Sequence, residues 1–123
     1  MKDFLTFFLI LLILDLIWIK LRMKYFTDFY RDVQGSELKL NYFYGLLCYI
    51  VIAFTLWYFV INKKGTLYEA MLLGAALYAV YDLTNQATLT HWTLTMTVTD
   101  ICWGAILSGL SVYIYTQLKK DSK

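Results

Sequence analysis

Asp15, Asp82 and Asp100 stand inside runs of apolar residues that otherwise carry almost no charge. A carboxyl kept from bulk water can relay a proton, hold a cation or bind a polar solute. Several in one space resist being ionised together, because like charge and low dielectric both oppose it. In a bilayer each costs about 2.5–3.5 kcal/mol at a helix centre, against about 0.3–0.6 kcal/mol returned by a Leu, Ile, Phe or Val. Pairing, protonation or water must offset that cost, and intramembrane ionisable residues mark functional pathways by default. The plainer reading is that Tyr, Asn, Thr and Trp donors fix the three aspartates as register locks. With three such groups the functional reading is preferred, and at least one is expected to keep its proton at neutral pH.

The elements that position them follow from composition. The 123 residues are 60% hydrophobic and 16% charged, whereas a soluble domain is about 45–50% apolar and about 25% charged. The net charge is +2, and the eleven Lys and Arg are spread between apolar runs, which speaks against a nucleic-acid surface. Expected partners are the lipid bilayer, other membrane chains including further copies of this one, and a small cation or polar solute. A hydrocarbon core of about 30 Å needs roughly 20 helical residues. Four segments of one domain over 1–123 supply them, at about 4–23, 41–61, 67–87 and 95–117. The expected fold is therefore all-α, an up-and-down integral membrane bundle of four transmembrane helices. The first segment resembles a secretory signal in its Lys2 and its run from Phe4 to Leu14, but bulky Ile19 to Arg22 stand where a small-residue cleavage site belongs, so it is expected to be retained.

The link from Lys24 to Lys39, placed on a helix, would set Tyr25, Phe26, Phe29 and Tyr30 at the interface and leave Lys24, Asp28 and Arg31 wet. Lys2, Lys63, Lys64, Lys119, Lys120 and Lys123 fall on the terminal side, against Lys20, Arg22, Lys24, Arg31 and Lys39 on the other. That small bias leans toward cytoplasmic termini.

Up-and-down threading aligns the acids. At 1.5 Å per residue Asp15 lies about 17 Å into the first helix and Asp82 about 22 Å into the third, while Asp100 opens the fourth, which puts all three in one layer toward the link face. Helical spacing adds Trp18 and Arg22 to Asp15; Gly74, Tyr78 and Asn85 to Asp82, with Tyr81 beside; and Thr97, Gly104, Ser108 and Ser111 to Asp100. On the second helix Asn41, Tyr44, Cys48, Thr55 and Asn62 share a face, and all four polar stripes are expected to turn inward. Asn85, Tyr81, Tyr44, Thr97, Trp18 and Trp103 are thus the candidate lining of the acidic layer. Gly104 with Ser108, and Ala105 with Gly109, are spaced for close helix contact.

Other chemistries lack their parts. Cys48 and Cys102 lie in apolar runs without metal-like spacing, and His91 is the only histidine, so neither a zinc site nor a bis-histidine haem is expected. No lysine lies mid-helix for a retinal, and no nucleophile elbow or phosphate-cradling glycine loop is present; no cofactor is expected. The alternation of Thr93, Thr95, Thr97 and Thr99 would suit an ion filter only in an extended strand, and helical threonines are the preferred reading.

Leu14-Asp15 followed by Trp18, Tyr78, the run Tyr81-Asp82-Leu83-Thr84-Asn85 with Ala87-Thr88-Leu89, and Asp100 followed by Trp103-Gly104 resemble a family of small predicted four-helix membrane proteins catalogued as domain of unknown function 2177. The resemblance spans nearly the whole chain and implies the topology and the polar residues rather than a mechanism. The leading functional expectation is an acidic inner cavity binding or conducting protons, cations or a small polar solute, with an oligomer required for a continuous pore. The alternatives are an intramembrane enzyme acting on a lipid or isoprenoid through an aspartate acid or base, and a non-catalytic partner subunit whose polar seam is helix glue.

Overall fold

The computed structural model describes residues 2–121. Met1, Ser122 and Lys123, the last counted in the charge bias above, lie outside the described residues, as does the Lys2 side chain. All regular structure in them is helical: α1 (Lys2–Leu21), α2 (Met23–Gln34), α3 (Tyr42–Leu56, continued by a π-wound turn at Trp57–Ile61), α4 (Leu67–Thr88) and α5 (Leu94–Asp121).

The expectation of four spans is met only in part. Among the described residues, three stretches are long and apolar enough to cross a bilayer: Asp3–Leu21, Tyr42–Ile61 and Leu94–Asp121. α4 has 22 residues, but Glu69, Asp82, Thr84, Asn85 and Gln86 leave it too polar to qualify by composition.

Local chemistry sets the ends. The Asn41 side chain opens α3 by accepting from the Phe43 and Tyr44 amides at 3.1 and 3.4 Å. Thr66 and Glu69 form a reciprocal capping box at the start of α4, with bonds of 2.7 and 3.1 Å. α2 stops at Gly35, whose φ of +77° is the left-handed conformation a helix end asks of glycine. The chain has no proline, and α3 ends in a π turn, where the Asn62 amide reaches back to the Trp57 carbonyl at 2.8 Å.

α4 and α5 form the closest pair, while α1 lies against α5 and α3. Lys119 Nζ meets Asp3 Oδ2 at 2.8 Å, tying the end of α5 to the start of α1. Phe7, Leu11, Leu56, Val60 and Leu107 fill the terminal half of the bundle. Leu5, Leu9, Ile13, Leu16 and Ile17 are exposed along the outer face of α1, an apolar stripe suited to lipid and far from what water tolerates.

The link helix keeps Lys24 and Arg31 exposed, as expected, and packs part of its aromatic face onto the protein. α2 folds back over one end of the bundle, and Phe29 is buried with Trp92 and Met96. Lys24 and Arg31 stay on the outer face, both paired with Asp28 at 3.2 and 3.1 Å; such exposed pairs contribute little.

Candidate functional site

Asp15 is 6% exposed and held from two helices: Trp103 Nε1 on α5 donates to its Oδ1 at 2.7 Å, and the Tyr49 hydroxyl on α3 donates to its Oδ2. Trp18, one turn past Asp15, stacks on Trp103 with centroids 4.5 Å apart and planes 11° from parallel. Arg22 lays its guanidinium over Trp18 and Tyr25 at 5.0 and 4.5 Å. The α1–α5 contact at this level is thus an aromatic stack with a carboxylate at one edge and a cation at the other.

Asp82 is fully buried, and no donor reaches either of its oxygens with hydrogen-bond geometry. Its carboxyl interacts with that of Asp100 across the α4–α5 contact. Two carboxylates offer each other only acceptors, so this contact becomes a hydrogen bond when one proton is shared between them. The pair exists because the helices almost touch: a Cβ on Gly74 would lie 2.4 Å from the Gly104 carbonyl oxygen, and one on Gly104 would lie 2.6 Å from the Tyr78 ring.

A cavity of about 740 Å³ opens beside the layer, between α3 and α4 and beneath α2. Asp15 and Asp100 sit on its wall among Met23, Phe26, Ile52 and Leu77. Among the described residues no group of three or more His, Cys, Asp or Glu is arranged to hold a metal ion; the aspartates form a facing pair and a neighbour, not a three-carboxylate cage.

The family model for the predicted membrane protein DUF2177 matches residues 1–116, a stretch containing every one of these groups. The chain belongs to this family. No curated protein and no solved structure matches it.

In this DUF2177 chain several expected lining residues join the layer and others do not. Trp103 holds Asp15, and Trp18 stacks on Trp103. Thr97, 2% exposed, donates to Gln86 Oε1 at 2.8 Å and accepts from Trp92 Nε1 at 3.1 Å, and Gln86 Nε2 closes the ring on the Trp92 carbonyl at 3.1 Å. Tyr81 is exposed, its hydroxyl 3.2 Å from that of Tyr30. Asn85 is half-buried one turn past Asp82. Burial pushes the Tyr30 phenol above its ordinary pKa, with Tyr81, Asp100 and Asp82 adding in the same direction.

The α3 stripe is corrected. Tyr44 is 65% exposed, and Asn41, Cys48 and Asn62 are exposed with it. Tyr49, Ile52, Ala53, Leu56 and Val60 turn inward instead. Their spacing of three and four residues was visible in the sequence, but a search for polar positions passes over an inward face that is apolar apart from one tyrosine. Tyr49 was missed on those grounds; Gln86 and Trp92, whose bonds run between the end of α4 and the start of α5, were also missed.

Proposed function

We propose that the chain is a four-span membrane bundle, termini cytoplasmic, whose acidic layer binds a small amphipathic cation entering sideways from the lipid. One observation carries the reading: a cavity of about 740 Å³, walled by apolar side chains, has Asp15 and Asp100 on its surface. An apolar wall accommodates a hydrocarbon tail, and a carboxylate away from water recognises an ammonium or guanidinium head. Asp15 already accepts two hydrogen bonds, so Asp100 is the group open to a ligand, with Asp82 behind it as its proton-sharing partner. Binding is favoured over conduction because fully buried Phe7, Leu11, Leu56 and Leu107 fill the bundle between the layer and the terminal face. An aspartate pair beside a lipid-sized opening also supports the second reading, acid–base chemistry on a lipid or isoprenoid; a changed lipid profile in cells lacking the protein would favour that one.

The test is a titration of the full chain in zwitterionic nanodiscs with decylammonium, decanol and decanoate, followed by tryptophan fluorescence, since Trp18 borders the cavity. Decylammonium alone should shift the signal saturably, and Asp100→Asn should weaken it about tenfold or more, the loss of one charge-assisted contact. Equal responses to all three probes, or an unaffected Asp100→Asn, refute the proposal.

A further inference from the structure

A second cavity, of about 550 Å³, lies at the opposite end of the bundle, where the α3–α4 turn meets the end of α5. Its floor is apolar: Trp57, Val60, Val112 and Tyr115. Its rim carries three lysines and one acid: Lys64 from the turn, Lys119 and Lys120 from α5, and Asp3 from α1. These lysines are not equivalent. Lys119 is paired with Asp3. Lys63, next to Lys64, is turned away onto the Tyr58 and Phe59 rings at 4.8 and 5.4 Å. Lys64 and Lys120 have no ion pair among the described residues and face the opening together.

The backbone around this cavity departs from regular α-helix at two places. The π turn at Trp57–Ile61 widens the last turn of α3, and Lys64 is the one non-glycine residue with positive φ among the described residues, at 54°. A left-handed lysine is uncommon. Here it reverses the chain within the tight turn and sets the Lys64 side chain at the mouth. Lysines near a helix C-terminus are ordinary companions of its dipole, which accounts for Lys119 and Lys120. It also covers Lys64, which follows the end of α3, but it does not account for two helix ends turning their lysines to one opening, nor for an apolar hollow beneath the charges.

We propose that this terminal-face cavity is a binding site for the anionic phosphate headgroup of an amphiphile, with Lys64 and Lys120 on the phosphate and the Trp57–Tyr115 floor under its glycerol and first acyl carbons. A free phosphate ion would use the rim alone, whereas an amphiphile uses rim and floor together and places its chain on the lipid side of α3. The site is separate from the acidic layer and does not depend on what binds there.

The full chain in detergent micelles is titrated with dihexanoyl phosphatidylglycerol, dihexanoyl phosphatidylcholine and inorganic phosphate, and bound species are counted by native mass spectrometry. The glycerol lipid should bind one per chain and in preference to the choline lipid. Lys64→Gln with Lys120→Gln should weaken it roughly thirtyfold, at the usual contribution of a lysine near an anionic headgroup. Lys64→Arg with Lys120→Arg should restore it, and Lys24→Gln on the opposite face should leave it unchanged. Equal binding of the two lipids, an unchanged affinity in the double glutamine variant, or inorganic phosphate binding as tightly as the glycerol lipid would each overturn the assignment.

Discussion

Gly74→Ala isolates the contact that creates the aspartate pair. The added methyl carbon would stand 2.1 Å from Ser108 Oγ and 2.4 Å from the Gly104 carbonyl oxygen. The serine hydroxyl has no hydrogen-bond partner and can rotate, but the carbonyl is fixed in α5. Ordinary contact begins near 3.4 Å, so α4 must move away from α5 by about 1 Å at this level, a separation that also reaches Asp82 two turns along the same face. Overpacking of a tight contact costs about 1–3 kcal/mol, and a clash with backbone belongs at the upper end. In a chain of this size the midpoint of thermal unfolding, followed by circular dichroism in micelles, should fall by roughly 5–10 °C. Gly45→Ala is the control: its Cβ would meet nothing within 4 Å, so the better helix propensity of alanine should leave the midpoint unchanged or slightly raised. A Gly74→Ala protein melting with the wild type, or a Gly45→Ala protein falling as far, refutes the close α4–α5 crossing as the source of the pair.

Two further perturbations probe the surroundings of the layer. Asp15→Ala leaves the Tyr49 hydroxyl and the Trp103 N–H without their acceptor, at about 1–3 kcal/mol for each group left unsatisfied, and should abolish the near-ultraviolet dichroism of the Trp18–Trp103 stack; Asp15→Asn, which keeps the shape and an accepting oxygen, should retain most of both, and identical spectra for the two variants would contradict the assigned geometry. The raised Tyr30 phenol makes stability pH-dependent in one direction: it is fully present below the unfolded phenol's pKa of about 10 and is lost as pH rises above it, because only the unfolded chain ionises readily. Tyr30→Phe should flatten that alkaline decline, and an unaltered profile would show that the Tyr30–Tyr81 contact does not bury the phenol.

The sequence was most informative where polarity is rare. An aspartate in an apolar run is conspicuous whatever packs around it, and counting residues along up-and-down helices was enough to align Asp15 with the start of α5, where Trp103 binds it. Residues whose role depends on rotation about the helix axis were harder to read. On α3 the stripe through Asn41, Tyr44 and Cys48 turned outward while Ile52, Leu56 and Val60 packed against Phe7, Leu11 and Leu107, and Tyr49 came inward with them. α2 was read as an interfacial helix because its charges form one face, but the sequence could not show that Phe29 would find Trp92, a residue more than sixty positions away.

The proposed span at α4 falls short on hydropathy for a physical reason. Insertion scales charge each residue for exposure to lipid, one helix at a time, yet α4 meets α5 more extensively than any other two helices meet, and its Asp82 and Gln86 find their partners there. Asp82 is covered by Asp100, Gln86 by Thr97 and Trp92, and the glycines at 74 and 104 bring the two backbones close enough to leave no room for lipid. The polarity that disqualifies α4 as a lone span is the same polarity that selects α5 as its partner. In the proposed four-span bundle, α4 and α5 therefore enter the membrane as one hairpin, with the cost of each aspartate set by the other and not by the hydrocarbon. The weaker α3–α4 contact is left as the seam beside which the bundle is hollow.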